Sequence, residues 1–584
     1  MCGIFAVSGV SDKAGAIVLE GLKKLEYRGY DSWGIAVRAK DSGKLLVDKD
    51  VGRIGTVNCK FKAGIEAVGH TRWATHGGVT KANAHPHRFG KVTLVHNGIF
   101  ENYASVKKSF EKKGETFSSE TDTEVIACLL SNFLKDGLAP LEAIKESANI
   151  IKGRFSILVI IEGLDGIFAA RRGSPLIIGR TETGTFIASD IPALLDHTNV
   201  VNYLDDDEVV FINGNTAQFH DLNTLEPLVK RDIKVAWKAE EASKGTYEHF
   251  MIKEIFDQKE TIYQSINHSD LQLERAVELL KSTNGAYFIA CGTAHKMAMA
   301  AEYYFADISG RKINVVPASE MTTFERFVHK KTAVIAVSQS GETADVLEIL
   351  ERSAKKGAKV LALTNVESSS MARMADVHLP LNAGPEKAVA STKAATSQLA
   401  LLFLLAHADN GSINIGREIL SGTASSINDL LNPRYEHYVR KVAEKLLNKN
   451  NLFIIGRKSL YPMALESAIK IQEVSYIHAQ GFAAGELKHG PIALIEKGVP
   501  CLVLGDDQET LSNAIELKSR GAHIIGVAPE TNEVFDDWLH APDCDGAQAI
   551  SAIIPVQILS YYLGKMKGIN PDMPRNLAKS VTVK

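Results

Sequence analysis

Cys2 follows the initiator methionine in the run Met1-Cys2-Gly3-Ile4-Phe5. Removal of one residue would leave a thiol and a free α-amine on the same residue. An α-amine titrates near pH ~7.7–8.0, against ~10.4 for a lysine, so it serves as a base at neutral pH without a tuned pocket. A terminal nucleophile that uses its own amine as base is one form of covalent catalysis; a small buried thiol at the start of a strand is the plain alternative. Four clusters downstream bear on the choice: Tyr27 to Ser32, Gly69 to Gly77, His96 to Asn102, and Ser119 to Glu124. Hydrolysis of a glutamine side-chain amide needs a thiolate, two donors for the tetrahedral oxyanion, and charges for the α-amino and α-carboxylate groups. Asn97 can supply an NH₂ and Gly98 a backbone N–H for an oxyanion hole. Arg72 offers a planar fork for a carboxylate, and Asp122 an anion for the ammonium. Asp122 as a simple helix cap is the competing reading.

A second set of residues points to a phosphorylated ligand. Ser338, Gln339, Ser340, Gly341 and Thr343 lie between an apolar strand and a helix, where hydroxyls and N–H groups make a neutral cradle for a phosphate. No Gly-x-x-x-x-Gly-Lys-Ser/Thr loop is present, which argues against a nucleoside triphosphate. Thr293 and Ser391 add hydroxyls. Lys470 and Glu473 share a helix face at i,i+3, which suits a base that moves a proton between adjacent carbons; a solvated ion pair is the bland alternative. Lys579, near the end of the chain, stands in an apolar and hydroxyl setting where desolvation would favour the free amine needed for a Schiff base; an ordinary surface lysine near a chain end is the plain alternative, and the tail alone favours it.

The elements that must position these residues fall into two textures. Up to about Val235, short alternating or β-branched runs such as Val92 to Val95 and Phe155 to Ile161 are separated by turn signals, predicting an antiparallel sheet. Helical patterns at Ala14 to Leu25 and Thr121 to Leu134 would pack on it. From about Asp270 the pattern becomes strand, glycine turn and helix, which predicts parallel sheets covered on both faces. Phe288-Ile289-Ala290 is echoed by Phe453-Ile454-Ile455, the run from Ala333 by that at Cys501, and Gly357 by Gly521, all at an offset of roughly 166 residues. Two α/β domains related by duplication account for this. The boundaries expected are 2–235, a linker at 236–270, 271–415, a helical connection at 416–440, 441–573, and a tail at 574–584.

Composition narrows the class. The 584 residues are 45% hydrophobic and 23% charged, with a net charge of −3, so nothing marks a nucleic-acid or anionic-membrane surface. Six scattered cysteines suggest neither a disulfide framework nor a zinc knuckle. No signal peptide is visible, and the longest apolar run, Leu399 to Ala406, falls well short of the ~18–20 residues that span a bilayer. A cytoplasmic protein with no cofactor and no metal is expected. His70, His76, His85, His87 and His96 invite a metal reading, but no carboxylate or cysteine interleaves at ligand spacing.

The amino-terminal clusters resemble the class II glutamine amidotransferases, and the later half resembles the SIS (sugar isomerase) fold in two copies. With Gly485 to Pro491 and Arg575 to Val583, the whole chain is similar to the family of isomerising glutamine–fructose-6-phosphate aminotransferases. The resemblance implies a four-layer α/β/β/α Ntn-hydrolase glutaminase followed by two doubly wound parallel-sheet SIS domains. It implies L-glutamine and D-fructose 6-phosphate as substrates, with D-glucosamine 6-phosphate and L-glutamate as products, at the entry to amino-sugar synthesis. By it Cys2 is nucleophile and base, with Asn97 and Gly98 as the oxyanion hole. Arg72, Trp73, Thr75, His76 and Asp122 surround glutamine, and Trp73 gates an ammonia channel. Thr293, Ser338, Gln339, Ser340, Thr343, Val389, Ser391 and Ala578 hold the sugar phosphate. Lys579 forms the Schiff base, and Glu473, aided by Lys470, shifts the proton between C1 and C2. His489 assists ring opening from the other subunit of a homodimer. The sequence departs from the family pattern at Ala294, where serine is usual, at Trp33, where alanine is usual, and at Lys259, where a proline commonly follows Gln258. A phosphoribosyl-diphosphate amidotransferase would need an acidic metal and diphosphate site, which is not seen. A sugar-phosphate sensor would give no reason for Lys579, Glu473 and His489.

Overall fold

The computed structural model describes residues 2–10, 12–61, 63–235, 237 and 243–581; Met1, part of the expected linker and the last three residues of the expected tail lie outside them. The chain divides into two compact units, the first essentially 1–243 and the second 244–579.

The first unit holds two antiparallel sheets rather than the one expected from strand texture. The eight-stranded sheet has Gly3–Ser8 near its middle, between Gly184–Ala188 and Gly64–Arg72. The seven-stranded sheet has Val92–Gly98 beside Phe155–Ile161. Alternation explains the stacking. Along Gly3–Ser8, Phe5 and Val7 pack toward the helix Ala14–Lys24, whereas Ile4 and Ala6 enter a core shared with Val95, Leu158 and Ile160 of the other sheet. On the far face Ile157, Val159 and Ile161 meet the helices Asp122–Lys135 and Pro140–Ile150. The layers are therefore α/β/β/α. Two helices, Tyr103–Glu111 and Pro140–Ile150, escape the sequence reading because they are short and polar on one side. Thr121, not Asp122, caps the helix that follows: its side chain accepts the Glu124 N–H.

The second unit contains two five-stranded parallel sheets of identical order. One runs Asn314–Pro317, Gly285–Ala290, Thr332–Ser338, Lys359–Thr364, Val377–Pro380; the other His478–Ala483, Asn451–Gly456, Pro500–Leu504, His523–Ala528, Asp537–His540. Each is covered on both faces, by Ala344–Lys355 or Gln508–Lys518 outside and by a common core inside. Among the helices in that core are Lys393–Asp409, Leu460–Ser475 and Gln548–Met566. The last is apolar enough to cross a membrane, yet 89% of its most apolar stretch is buried within the protein. Its apolarity is that of a helix surrounded on all sides. Gln258, where the family pattern is followed by proline, is buried and satisfied: it donates to Ile255 O and Gln557 Oε1 and accepts from Thr396. Trp33, on the strand Ser32–Ala39, is a core residue.

Candidate active sites

In the first unit Cys2, the candidate nucleophile, and its neighbours come from the ends of facing sheets. Gly3 pairs with Thr71, so Cys2 emerges beside Trp73 at the end of Gly64–Arg72. The Trp73 N–H lies 3.3 Å from Cys2 Sγ, and Sγ in turn points to Trp73 O at 3.6 Å. From the other sheet, the end of Val92–Gly98 brings Asn97, whose Nδ2 donates to Cys2 O at 3.0 Å. Gly98 follows with φ +127°, and a Cβ there would lie 2.0 Å from Arg154 O, so only glycine fits. Burial pushes the Cys2 thiol up, against the Trp73 N–H and the charges of Arg72 and Arg28. The resting group is thus a protonated thiol that needs a base.

Asn97 is oriented from behind. His70 Nε2 lies 3.0 Å from His96 O and 3.1 Å from Asn97 Oδ1. Both are acceptors, so Nε2 carries the proton and turns the amide NH₂ toward Cys2. Burial lowers His70 to about 3 and holds His85 and His87 well below the ordinary value. These are neutral rings in the interior: His70 stacks on His85 at 4.0 Å, and His87 meets His85 edge-on at 4.7 Å. Thr123 bridges His85 and His96.

Arg72, at the end of the strand Gly64–Arg72, turns its guanidinium toward the loop that follows. Its terminal nitrogens donate to the carbonyls of Gly78, His76 and Gly77, so it braces the loop that carries Thr75 and His76. Asp122 accepts the Phe100 N–H at 2.9 Å, which fixes the segment after the oxyanion residues. Arg28 and Asp31 shape the entrance: Arg28 pairs with Asp190 and donates to Cys2 O, while Asp31 accepts the Ala74 N–H. Asp190, 188 positions from Cys2, carries no sequence signal for this role.

In the second unit the phosphate motif closes as a tight loop. Ser338 ends the strand Thr332–Ser338, its Oγ accepts the Gly341 N–H at 3.1 Å, and it meets Thr343 Oγ1 at 3.2 Å. Ser340 Oγ accepts the Glu342 N–H. Gly341 has φ +65°, and a Cβ would lie 2.1 Å from Ser369 Oγ. Because Thr343 bonds back to Ser338, its side chain does not cap the helix Ala344–Lys355, leaving that N-terminus suited to an anion.

The candidate pair Lys470 and Glu473 is not a solvated surface pair, because its lysine is buried. Lys470 is completely buried on Leu460–Ser475, with Nζ 2.6 Å from Glu473 Oε2 and 3.5 Å from Glu466 Oε1. Burial would lower the ammonium, but the two carboxylates win and raise it. Glu466 is the residue the sequence reading passed over, although its i,i+4 spacing from Lys470 puts it on the same face. Burial pushes its carboxyl up to about 7, and Thr293 donates to Oε1 at 3.0 Å. Thr293 thereby ties the helix Gly292–Tyr304 to the proton-transfer helix. Ala294, beside it, packs against the apolar core.

Lys579 is not in the apolar and hydroxyl setting expected. Its side chain is 4% exposed and its Nζ lies 2.5 Å from Glu386 Oε2. Glu386 is 193 residues away in the chain, so only folding brings the two together. Ser391 donates to the same carboxylate oxygen, and the Val389 N–H donates to Asp572 O, joining this loop to the tail that carries Ala578 and Lys579. His489 is exposed on the turn Glu486–His489, with no hydrogen bond or ion pair to this cluster among the described residues.

Residues 70–196 match the family described as "Glutamine amidotransferase domain", and residues 279–408 and 445–539 match "SIS domain". A glutamine–fructose-6-phosphate aminotransferase (isomerising) of Thermococcus kodakarensis is 40% identical, with both chains covered in full. The chain belongs to the isomerising glutamine–fructose-6-phosphate aminotransferase family. A second member, from Clostridium acetobutylicum, is 39% identical over the full length of both chains. The solved C-terminal domain of glucosamine-fructose-6-phosphate aminotransferase from Francisella tularensis covers 57% of this chain and all of its own, with TM-score 0.52 and 32% identity. The aminotransferase family accounts for both halves: a glutaminase front and a duplicated SIS unit.

Proposed function

We propose that the chain makes D-glucosamine 6-phosphate and L-glutamate from D-fructose 6-phosphate and L-glutamine. The observation that carries the reading is one chain holding both Cys2, bracketed by the Trp73 N–H and the Asn97 amide, and a Lys470–Glu473 pair whose lysine is buried. Once Met1 is removed, the α-amine of Cys2 takes the thiol proton and Sγ attacks the glutamine amide carbon. Asn97 and Gly98 donate to the oxyanion, the C–N bond breaks as the nitrogen takes the proton held by the α-amine and leaves as ammonia, and water then hydrolyses the Cys2 thioester to release glutamate. Arg72, Trp73, Thr75, His76 and Asp122 enclose the amino-acid end of glutamine, and ammonia travels to the sugar past Trp73.

At the sugar, Ser338, Gln339, Ser340 and Thr343 hold the phosphate, with Thr293, Val389, Ser391 and Ala578 along the carbon chain. Lys579 forms a Schiff base at C2 with loss of water, and ammonia then displaces the lysine at that carbon. Glu473 carries the proton between C1 and C2, and Lys470 stabilises oxygen charge beside it. His489 opens the sugar ring in the site of a second subunit; its exposure favours such a role over one inside its own cluster. A cytoplasmic setting belongs to the same proposal, supported by six cysteines that are all free thiols.

The test is incubation with glutamine and fructose 6-phosphate, with mass detection of glucosamine 6-phosphate. Cys2→Ala should abolish the glutamine-dependent product and keep product formation from free ammonia. Equal glutamine-dependent yield from Cys2→Ala would sink the terminal-nucleophile reading, and a normal rate from Lys579→Arg would sink the Schiff base.

A further inference from the structure

A Schiff base at Lys579 demands proton traffic that the amine cannot manage alone. An ammonium cannot attack a carbonyl, and the hydroxyl of the carbinolamine must leave as water. The groups around Nζ identify the carrier. Among the described residues Lys579 has one ion-pair partner, Glu386 Oε2, at 2.5 Å. The other nearby charges are committed elsewhere. Lys470 lies between Glu473 and Glu466, and Lys393 pairs with Asp257. Glu254 accepts the N–H groups of Lys387 and Ala388.

The two oxygens of Glu386 have different environments. Oε1 accepts the Thr392 N–H at 2.9 Å and the Ala394 N–H at 3.0 Å, at the start of the helix Lys393–Asp409. Oε2 faces Lys579 Nζ and the Ser391 hydroxyl. One oxygen is therefore held by backbone while the other faces the reacting nitrogen, and the side chain is fully buried. Burial alone would raise this carboxyl, but Lys579 and the two N–H groups hold it below the usual range. An ion pair is the resting state.

We propose that Glu386 is a catalytic residue, the proton carrier for imine formation at Lys579; the proposal rests on the Schiff-base reading above. The Nζ proton passes to Oε2, leaving a neutral amine and a carboxylic acid. Substrate that displaces water favours this transfer, since the charged pair loses more solvation than the neutral one. The nitrogen lone pair then forms the N–C2 bond while the C2 carbonyl electrons move to oxygen, which takes a proton from the same nitrogen. Oε2–H protonates that hydroxyl, the C–O bond breaks, water leaves, and a protonated imine forms beside the restored carboxylate. Ammonium, carboxylate and ketone have become iminium, carboxylate and water, so atoms and charge balance.

The test is borohydride trapping with fructose 6-phosphate, following mass gain on the Lys579 peptide with time. Glu386→Gln keeps an acceptor for the Thr392 and Ala394 N–H groups but cannot carry the proton. It should slow trapping about 10²-fold, the low end for a general acid–base group, with KM for fructose 6-phosphate little changed. Glu386→Asp, which keeps a carboxylate, should trap faster than Glu386→Gln, and it also serves if the Gln variant fails to fold. If wild type is trapped at Lys579 and Glu386→Gln is trapped as fast, the carrier assignment is wrong while the Schiff base stands. If Asp and Gln are slowed equally, Glu386 is only structural and the proposal is lost. If wild-type Lys579 is not trapped at all, the Schiff-base reading falls first and the carrier with it.

Discussion

Glu466→Gln offers a measurable consequence of the buried charge on the proton-transfer helix. The Glu466 carboxyl is 1% exposed, and burial raises it from 4.5 to about 7. A folded value above the unfolded one means the folded state holds a proton more tightly. Its stabilising effect is complete below about pH 4.5 and is lost as pH climbs through 7. At about 1.4 kcal/mol per pH unit across that gap, the loss amounts to roughly 3 kcal/mol by neutral pH and above. Glutamine has the same shape, still accepts from Thr293, and has no proton to lose. Lys470 keeps Glu473 at 2.6 Å as its closer partner. The melting midpoint of Glu466→Gln minus that of wild type should therefore rise between pH 5 and 8. For a unit the size of 244–579, roughly 3 kcal/mol corresponds to about 4 °C. Differential scanning calorimetry or fluorimetry at half-unit pH steps reads this directly. A difference that stays flat with pH, or that falls as pH rises, would refute the argument that Glu466 is buried against its charged form.

Gly98→Ala should cut glutamine hydrolysis about 10²–10³-fold by displacing an oxyanion donor, while product formation from ammonia persists; parallel assays of glutamate release and ammonia-dependent synthesis check both. His70→Ala should lower kcat for glutamine more than it raises KM, because the Asn97 amide loses the donor that turns it; steady-state glutaminase kinetics separate the two. Gly341→Ala should weaken fructose 6-phosphate binding by tenfold or so (about 1.4 kcal/mol), since its Cβ would strike Ser369 in a left-handed turn. Isothermal titration with the sugar phosphate measures that loss.

Strand texture, turn residues and the roughly 166-residue repeat made much of the architecture legible: antiparallel sheet first, then two matching parallel sheets. The order of Cys2, Arg72, Asn97 and Asp122, with the serine motif ending in Thr343, pointed to the chemistry because residue type at a nucleophile, an oxyanion hole or a helix N-terminus is constrained by what each must donate or accept. Helical spacing alone also put Lys470 and Glu473 on one face, although it could not tell a solvated face from a buried one and left Glu466 unassigned. Folding decided that: Lys470 and Glu466 are buried in the duplicated unit, while Glu473 keeps a quarter of its side chain exposed. The same is true of direction. Arg72 faces loop carbonyls, His70 turns Asn97, and Asp190 holds Arg28. Glu386 meets Lys579 across 193 residues. Periodicity and motif order act over short distances along the chain, so they determined the elements and the candidate groups. Partnership between groups from different sheets and loops depends on layer packing, and only the tertiary structure could assign it.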